Sequence, residues 1–158
     1  MAQKKTTEIK AKVATAAIST VKRAPKPKKA PSIAHGVGRR KKCVARVWLA
    51  HGDGKISVNG KSHLEYFDTD VARLAAAKPF TIVPTGAHYD VHAIVRGGGK
   101  EGQADAVKLG IARAMVELDE NIRPDMRKNG LLTVDSRGKE RKKYGRKAAR
   151  RGFQFVKR

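Results

Sequence analysis

Residues 89–119 read YDVHAIVRGGGKEGQADAVKLGIARAMVELD, and this stretch decides the fold. Tyr89, Val91, Ala93 and Val95 recur at every second position, as one face of a β-strand does. Gly97-Gly98-Gly99 breaks that period. Beyond the glycines, Ala104, Val107, Ile111, Ala114, Met115 and Leu118 fall at three- and four-residue spacings, which predicts a helix over about Gln103–Asp119. Asn121 and Pro124 are its expected stop. The helix needs an apolar surface for its stripe, and the neighbouring strand supplies one. Strand, glycines and helix together predict an α+β fold, a small mixed sheet with helices packed on it.

Upstream, Val44-Ala45-Arg46-Val47-Trp48-Leu49 is β-rich, with Val44 alternating against Ala45 and Arg46 against Val47. Asp53-Gly54 is a tight-turn signal, Lys55-Ile56-Ser57-Val58 alternates again, and Asn59-Gly60 is a second turn signal. The two alternating runs are expected to pair as a β-hairpin. Ser62 with Glu65 resembles a capping box for a short helix reaching Tyr66-Phe67. A second short helix is expected over Asp70–Lys78, ended by Pro79, with Phe80-Thr81-Ile82-Val83 strand-like.

Around this middle the composition changes sharply. The chain has 158 residues and a formal net charge of +22. Residues 1–42 carry 13 basic and 1 acidic side chain, residues 43–122 carry 9 and 10, and residues 123–158 carry 14 and 3. A near-neutral core over 36–122 is therefore expected between extended basic arms, an N-terminal extension over 1–35 and a C-terminal tail over 123–158. The extension is Lys, Ala, Thr and Pro with few residues to offset the entropy of ordering, so it is expected to be disordered alone. A mitochondrial transit peptide shares its basicity, but favours Arg and Ser where this stretch uses Lys. In the tail, Gly130-Leu131-Leu132-Thr133-Val134 is the last apolar run and is expected to dock on the core. Gly138, Gly145 and Gly152 discourage a helix beyond it.

Several function classes are disfavoured. Cys43 is alone, so no intramolecular disulfide forms. His35, His51, His63, His88 and His92 show no metal-site spacing, and no GxSxG elbow is present. Gly97-Gly98-Gly99-Lys100 invites a phosphate-loop reading, but Glu101 stands where Ser or Thr is needed and Ile94 where the first Gly is needed. Two readings of the glycines stay open: a turn or close backbone packing, and approach of the backbone to an RNA phosphate. No cofactor is implied. No apolar run approaches the roughly 20 residues of a membrane span, and no membrane partner is expected.

A charge run is usually a solvated face, but such an excess calls for a polyanion. In the tail, arginines with their bidentate grip on phosphate are interleaved with Tyr144, Phe153 and Phe155, which suits nucleic acid. The expected phosphate contacts are Arg39, Arg40, Lys41 and Lys42 before the core. After it they are Arg123, Arg127, Lys128, Arg137, Lys139, Arg141, Lys142, Lys143, Arg146, Lys147, Arg150 and Arg151. If roughly ten tail cations neutralise phosphates, log K against log salt has a slope of about −7 to −9. A histone-like DNA-binding protein is the alternative. It is weakened by the acids Asp105, Glu117, Asp119 and Glu120 along the long helix or at its end, where a recognition helix needs cations.

The same residues carry a family resemblance. Gly38-Arg39-Arg40-Lys41-Lys42, Ala45-Arg46-Val47, Gly52 through Gly60 and Tyr66-Phe67 resemble the opening of bacterial small-subunit ribosomal protein S nine. Gly97-Gly98-Gly99, Gly102-Gln103-Ala104 and Gly110-Ile111-Ala112-Arg113-Ala114 resemble its central loop and helix. Gly130-Leu131-Leu132-Thr133, Asp135, Arg137, Glu140 through Gly145, Gln154-Phe155 and Lys157-Arg158 resemble its tail. The likeness runs from about Gly36 to Arg158. It implies a fold like the second domain of ribosomal protein S five. It implies a seat on small-subunit rRNA in the subunit head, beside neighbouring head proteins, in a cytoplasmic or alternatively an organellar ribosome. It also implies that Lys157 and Arg158 contact peptidyl-site tRNA. The 14 residues from Gly145 to Arg158 span roughly 46–50 Å when extended, which permits such reach. The sequence departs from the family at Val156, where Ser is usual, and at Gly152-Phe153. Gly36-Val37-Gly38 stands for the usual Gly-Thr-Gly.

Overall fold

The computed structural model describes residues 31–83 and 88–156. The N-terminal extension up to residue 30, residues 84–87 and the terminal Lys157-Arg158 lie outside the described residues, and so does most of the expected disordered arm. The first strand, β1, opens at Ala34 and runs to Arg40. The elements that follow are β2 (Cys43–His51), β3 (Ile56–Val58), β4 (Lys61–Ser62) and α1 (His63–Tyr66). After them come α2 (Asp70–Ile82), β5 (Tyr89–Arg96), α3 (Lys100–Leu118), a 3₁₀ turn (Glu120–Ile122) and α4 (Arg123–Lys128).

The alternation in residues 89–95 does what period two requires. Val91, Ala93 and Val95 are buried on one side of β5, and His92 and Ile94 are half-buried on the other. β5 is the middle strand of a five-stranded sheet ordered β1-β2-β5-β3-β4. It pairs antiparallel with β2 and parallel with β3, so the sheet is mixed.

That order overturns the expected pairing of residues 44–49 with 55–58: β5 lies between them. The chain crosses the end of β5 through Gly52–Lys55. Gly52 N donates to His88 O at 3.0 Å, Lys55 N to Asp90 Oδ1 at 2.9 Å, and Val91 N to Lys55 O at 2.8 Å. A side chain on Gly52 would overlap the Asp90 carboxylate. The Asp-Gly signal marks a real bend, but one that straddles a third strand. The hairpins form elsewhere. β1 and β2 pair across Lys41-Lys42, with Lys41 at φ 54°. β3 and β4 pair across Asn59-Gly60, both left-handed at φ 51° and 86°, as a type I′ turn requires.

α3 lies on the buried face, close against β1. The approach is set by small residues: a Cβ on Gly36 would overlap Gly110 O, and one on Gly38 would overlap Ala106 O. α3 also closes the edge of β1. His35 N donates to Glu117 Oε2 at 2.9 Å, and Arg113 Nη1 donates to Val37 O at 2.7 Å, so two backbone groups facing away from β2 are satisfied. Leu49, Val47, Val91, Val107, Ile111, Met115 and Phe67 fill the space between sheet and helices.

α2 corrects a second expectation. Pro79 sits inside the helix, and residues 80–82 are helical rather than strand-like. Ala72, Ala76 and Pro79 form one buried stripe at helical spacing, facing α3. Burial of that stripe outweighs the missing Pro79 N–H, where local preference favoured a stop. α1 forms where expected, but its Ser62 N-cap makes no side-chain bond. Glu65 instead pairs with Lys61 at 3.2 Å. α3 begins at Lys100, directly after the glycines. Asn121 and Pro124 do not end it: it stops at Leu118, and Pro124 lies in the first turn of α4. Gly97 and Gly98 are left-handed (φ 77° and 62°), and side chains there would overlap Lys42 O and Cys43 Sγ. Gly97 and Gly98 thus serve the turn and close packing, whereas a side chain on Gly99 would meet nothing.

α4 ends in a Schellman motif. Gly130 at φ 67° gives Arg127 O a bond from its N–H, and Leu131 N donates to Met126 O, both at 3.0 Å. Met126 and Leu131 are buried, so the last apolar run docks on the core as expected. Among the described residues, no helix or strand follows Lys128.

Candidate nucleic-acid interface

The basic residues fall into three settings. The first is the tail root. Arg40 closes β1, where its register puts it opposite Cys43 beside the Lys41-Lys42 turn. Its side chain is only 12% exposed and turns toward the chain that leaves the core. Nη1 donates to Asp135 O at 3.2 Å and Arg137 O at 2.5 Å. Nη2 lies 3.0 Å from Asp135 Oδ2, and Nε lies 3.6 Å from Asp105 Oδ2. Arg137 grips the same Asp135 carboxylate with Nε and Nη2 at 2.8–3.1 Å. The Arg137 hydrogen bonds, with Arg40 adding to them, hold the Asp135 carboxyl well below the usual carboxylate range. Asp135 in turn raises the Arg137 guanidinium. Of the expected phosphate contacts, Arg40 is therefore committed inside the chain, where it aims the tail.

The second setting is the tail itself. It carries three acids, Asp125, Asp135 and Glu140, and each is already engaged. Asp125 pairs with Lys128, Asp135 with Arg40 and Arg137, and Glu140 with Arg150, whose guanidinium it raises. Arg123 pairs with Glu120 at 3.2 Å. Arg141 and Arg146 reach only the backbone carbonyls of Lys142 and Arg150. Arg127, Lys139, Lys142, Lys143, Lys147 and Arg151 are exposed and have no ion pair among the described residues. Tyr144 is 98% and Phe155 99% exposed, so neither ring is anchored to the core. The seven-residue glycine spacing leaves no helix to gather these cations, and they follow one another along an irregular chain. Lys157 and Arg158 lie outside the described residues.

The third setting is the β1–β2 end and the open side of the sheet. Lys41 and Lys42 are exposed at the turn. Arg39 is exposed beside them, on the face opposite α3. Two arginines absent from the expected contacts, Arg46 and Arg96, stand on that same face. Alternation placed Arg46 opposite Ala45 and Val47. Only the β2–β5 register, invisible in the local pattern, brings Arg96 alongside.

The remaining candidates for chemistry are quiet. Among the described residues no cluster of His, Cys, Asp or Glu is arranged to hold a metal. Burial pushes the Cys43 thiol up, against the thiolate that a nucleophile or ligand needs. Among the described residues no helix is long and apolar enough to cross a membrane.

A sequence model of the family "Ribosomal protein S9/S16" matches residues 38–158. A protein of Thermus thermophilus named "Small ribosomal subunit protein uS9" is 50% identical over 124 residues, covering 78% of this chain and 97% of that protein. A protein of the same name from Cytophaga hutchinsonii is 46% identical over 126 residues, covering 80% of this chain and 98% of its own length.

Proposed function

The chain belongs to the ribosomal protein S9/S16 family, and from that premise we propose how its parts serve the ribosome. It is a structural constituent of the small ribosomal subunit, in a family of non-enzymes. Membership decides against the histone-like alternative.

We infer that the tail is embedded in small-subunit rRNA in the subunit head, among neighbouring head proteins of a cytoplasmic ribosome. One observation carries this reading. Every acid in the tail is consumed internally, while eight of its twelve described cations have no ion pair among the described residues, and Tyr144 and Phe155 are almost fully exposed. Such a segment is compensated only by an external polyanion with stacking surfaces. Arg39, Lys41, Lys42 and the unpaired cations of 123–151 meet phosphates. Arg40 contributes by fixing the direction in which the tail departs. Lys157 and Arg158 give peptidyl-site tRNA a grip that does not depend on its sequence. The core takes the fold of the second domain of ribosomal protein S five. The parallel β3–β5 pair, joined through α2 and followed by α3, supports that assignment.

The test is deletion of residues 145–158. Assembly of the subunit is expected to remain largely intact, while tRNA leaves the peptidyl site faster. Equal tRNA dissociation rates in wild-type and truncated subunits would overturn the tRNA contact.

A further inference from the structure

We propose that the open face of the sheet is a second RNA site, a platform on which unpaired bases of the small-subunit rRNA stack between arginine-held phosphates. This rests on the rRNA reading above but uses residues distinct from the tail.

The register assembles the face in three rows. Arg39, Val44 and Arg96 stand side by side across β1, β2 and β5, then Val37, Arg46 and Ile94, then His35, Trp48 and His92. All the helices pack on the other side, where Ala45, Val47, Leu49, Val91 and Ala93 are buried. Within these rows the arginines and His35 are exposed, Val44 is 39% exposed, and Val37, Trp48, His92 and Ile94 are half-buried. Val44, Arg46, Trp48, Ile94 and Arg96 line a shallow concavity of about 330 Å³.

Two properties select RNA as the occupant. The first is uncompensated charge. Arg39, Arg46 and Arg96 have no ion pair among the described residues, and no carboxylate stands in the three rows. Asp90, the next residue along β5 on this face, accepts from Lys55 N, and Asp105 and Asp135, which share a pocket with Arg39, are taken by Arg40. Elsewhere in the fold arginines such as Arg40 and Arg73 are paired. The second is a row of flat rings. His35 and Trp48 lie 5.2 Å apart between centroids and tilted by 46°, and Trp48 and His92 lie 6.0 Å apart and tilted by 31°, so the row is a stepped surface rather than one plane. Successive rows stand two residues apart, about 6.8 Å. Neighbouring phosphates of an extended strand can therefore meet arginines while its bases lie on rings and aliphatic side chains. Base–aromatic stacking tolerates any base, and a guanidinium offers both a fork for phosphate and a plane for stacking.

The chain has one tryptophan, so its fluorescence reports this face alone. Full-length protein titrated with deproteinised small-subunit rRNA is expected to show Trp48 emission quenched in step with binding. The doubly substituted R46A/R96A chain is expected to bind about tenfold more weakly. Its slope of log K against log salt should be shallower by about 1.4 to 1.8, two phosphate contacts' worth. Both arginines are exposed and have no ion pair among the described residues, so a melting curve matching wild type serves as the folding control. Unchanged Trp48 emission at saturating rRNA, with R46A/R96A binding as tightly as wild type, overturns the platform and leaves the tail reading standing. Shielding of Trp48 only after other subunit proteins are added assigns the face to a protein and overturns it equally. Failure of the full chain to retain rRNA at all overturns the rRNA reading and the platform together.

Discussion

Residues 43–122 set nine Lys and Arg against ten Asp and Glu, whereas residues 123–158 set fourteen against three. In the core, glycines are there to let elements meet. Gly36, Gly38 and Gly110 lie where a Cβ would overlap a neighbour. Beyond the Schellman turn, glycines interrupt a chain that has nothing to pack on; Gly152 has open space around it. The core is organised by what it excludes, and the tail by what it leaves unsatisfied. The contrast separates two kinds of change: a core substitution is felt as stability, a tail substitution as binding.

The sharpest way to break that contrast is to add one methyl group on each side of it. Gly38→Ala drives a Cβ into the backbone carbonyl of Ala106, which cannot give way without moving α3 off β1. A loss of about 3 kcal/mol or more in urea unfolding is expected, in the range of severe overpacking. Gly152→Ala meets nothing and should shift stability by less than about 0.5 kcal/mol. Similar unfolding midpoints for the two variants would dissolve the distinction.

Much of this was legible in the sequence, and the failures share a cause. The strand at 89–95, the glycine break and the long helix were plain, because each is a local period ended by a local breaker. So were the irregular tail and its charge. The expected hairpin between 44–49 and 55–58 fails because Asp53-Gly54 reports a bend, not which strand lies beside it. The insertion of β5 shows only in tertiary pairing, as where Gly52 leaves room for Asp90, 38 positions away. Residues 80–82 depart from expectation because Pro79 is a local signal and the Ala72–Ala76–Pro79 stripe is a tertiary one. α4 does carry local marks: Pro124 in the first turn, Arg127 and Lys128 in the last, and Gly130 just past the end. In the candidate interface, count and position of cations were readable but their commitments were not. Nothing in Arg39-Arg40-Lys41-Lys42 says that Arg40 alone turns inward toward Asp135.

Arg40 is where core and tail are joined, so its loss should blur the line between them. In Arg40→Ala two carbonyls, Asp135 O and Arg137 O, lose a charged donor. Two carboxylates lose a partner as well, each still about a third exposed. Charged hydrogen bonds contribute about 1.5–3 kcal/mol, and exposure discounts that. A global loss of about 1–2 kcal/mol is expected. The clearer sign is local: amide hydrogens around residues 131–137 should exchange much faster while those of β5 do not. Arg39→Ala, one residue away and without an ion pair among the described residues, should do neither. Equal exchange in both variants would mean that the tail holds its direction without Arg40.

The smallest expected effect lies in the same junction and concerns acid. Asp135 is held below the ordinary carboxylate value of about 3.9. A carboxylate with a lowered folded value adds stability above the unfolded value and loses it as pH falls through the folded one. The junction should therefore be indifferent to pH from 7 down to about 5 and loosen only below about 4. Because the Arg137 hydrogen bond is the leading cause and the charge of Arg40 the least, the two arginines can be ranked. Carboxyl NMR should find the Asp135 midpoint raised more by Arg137→Ala than by Arg40→Ala. The reverse order would make the core, not the tail, the principal holder of that carboxylate, and would move the boundary between the two regions from residue 122 to beyond Asp135.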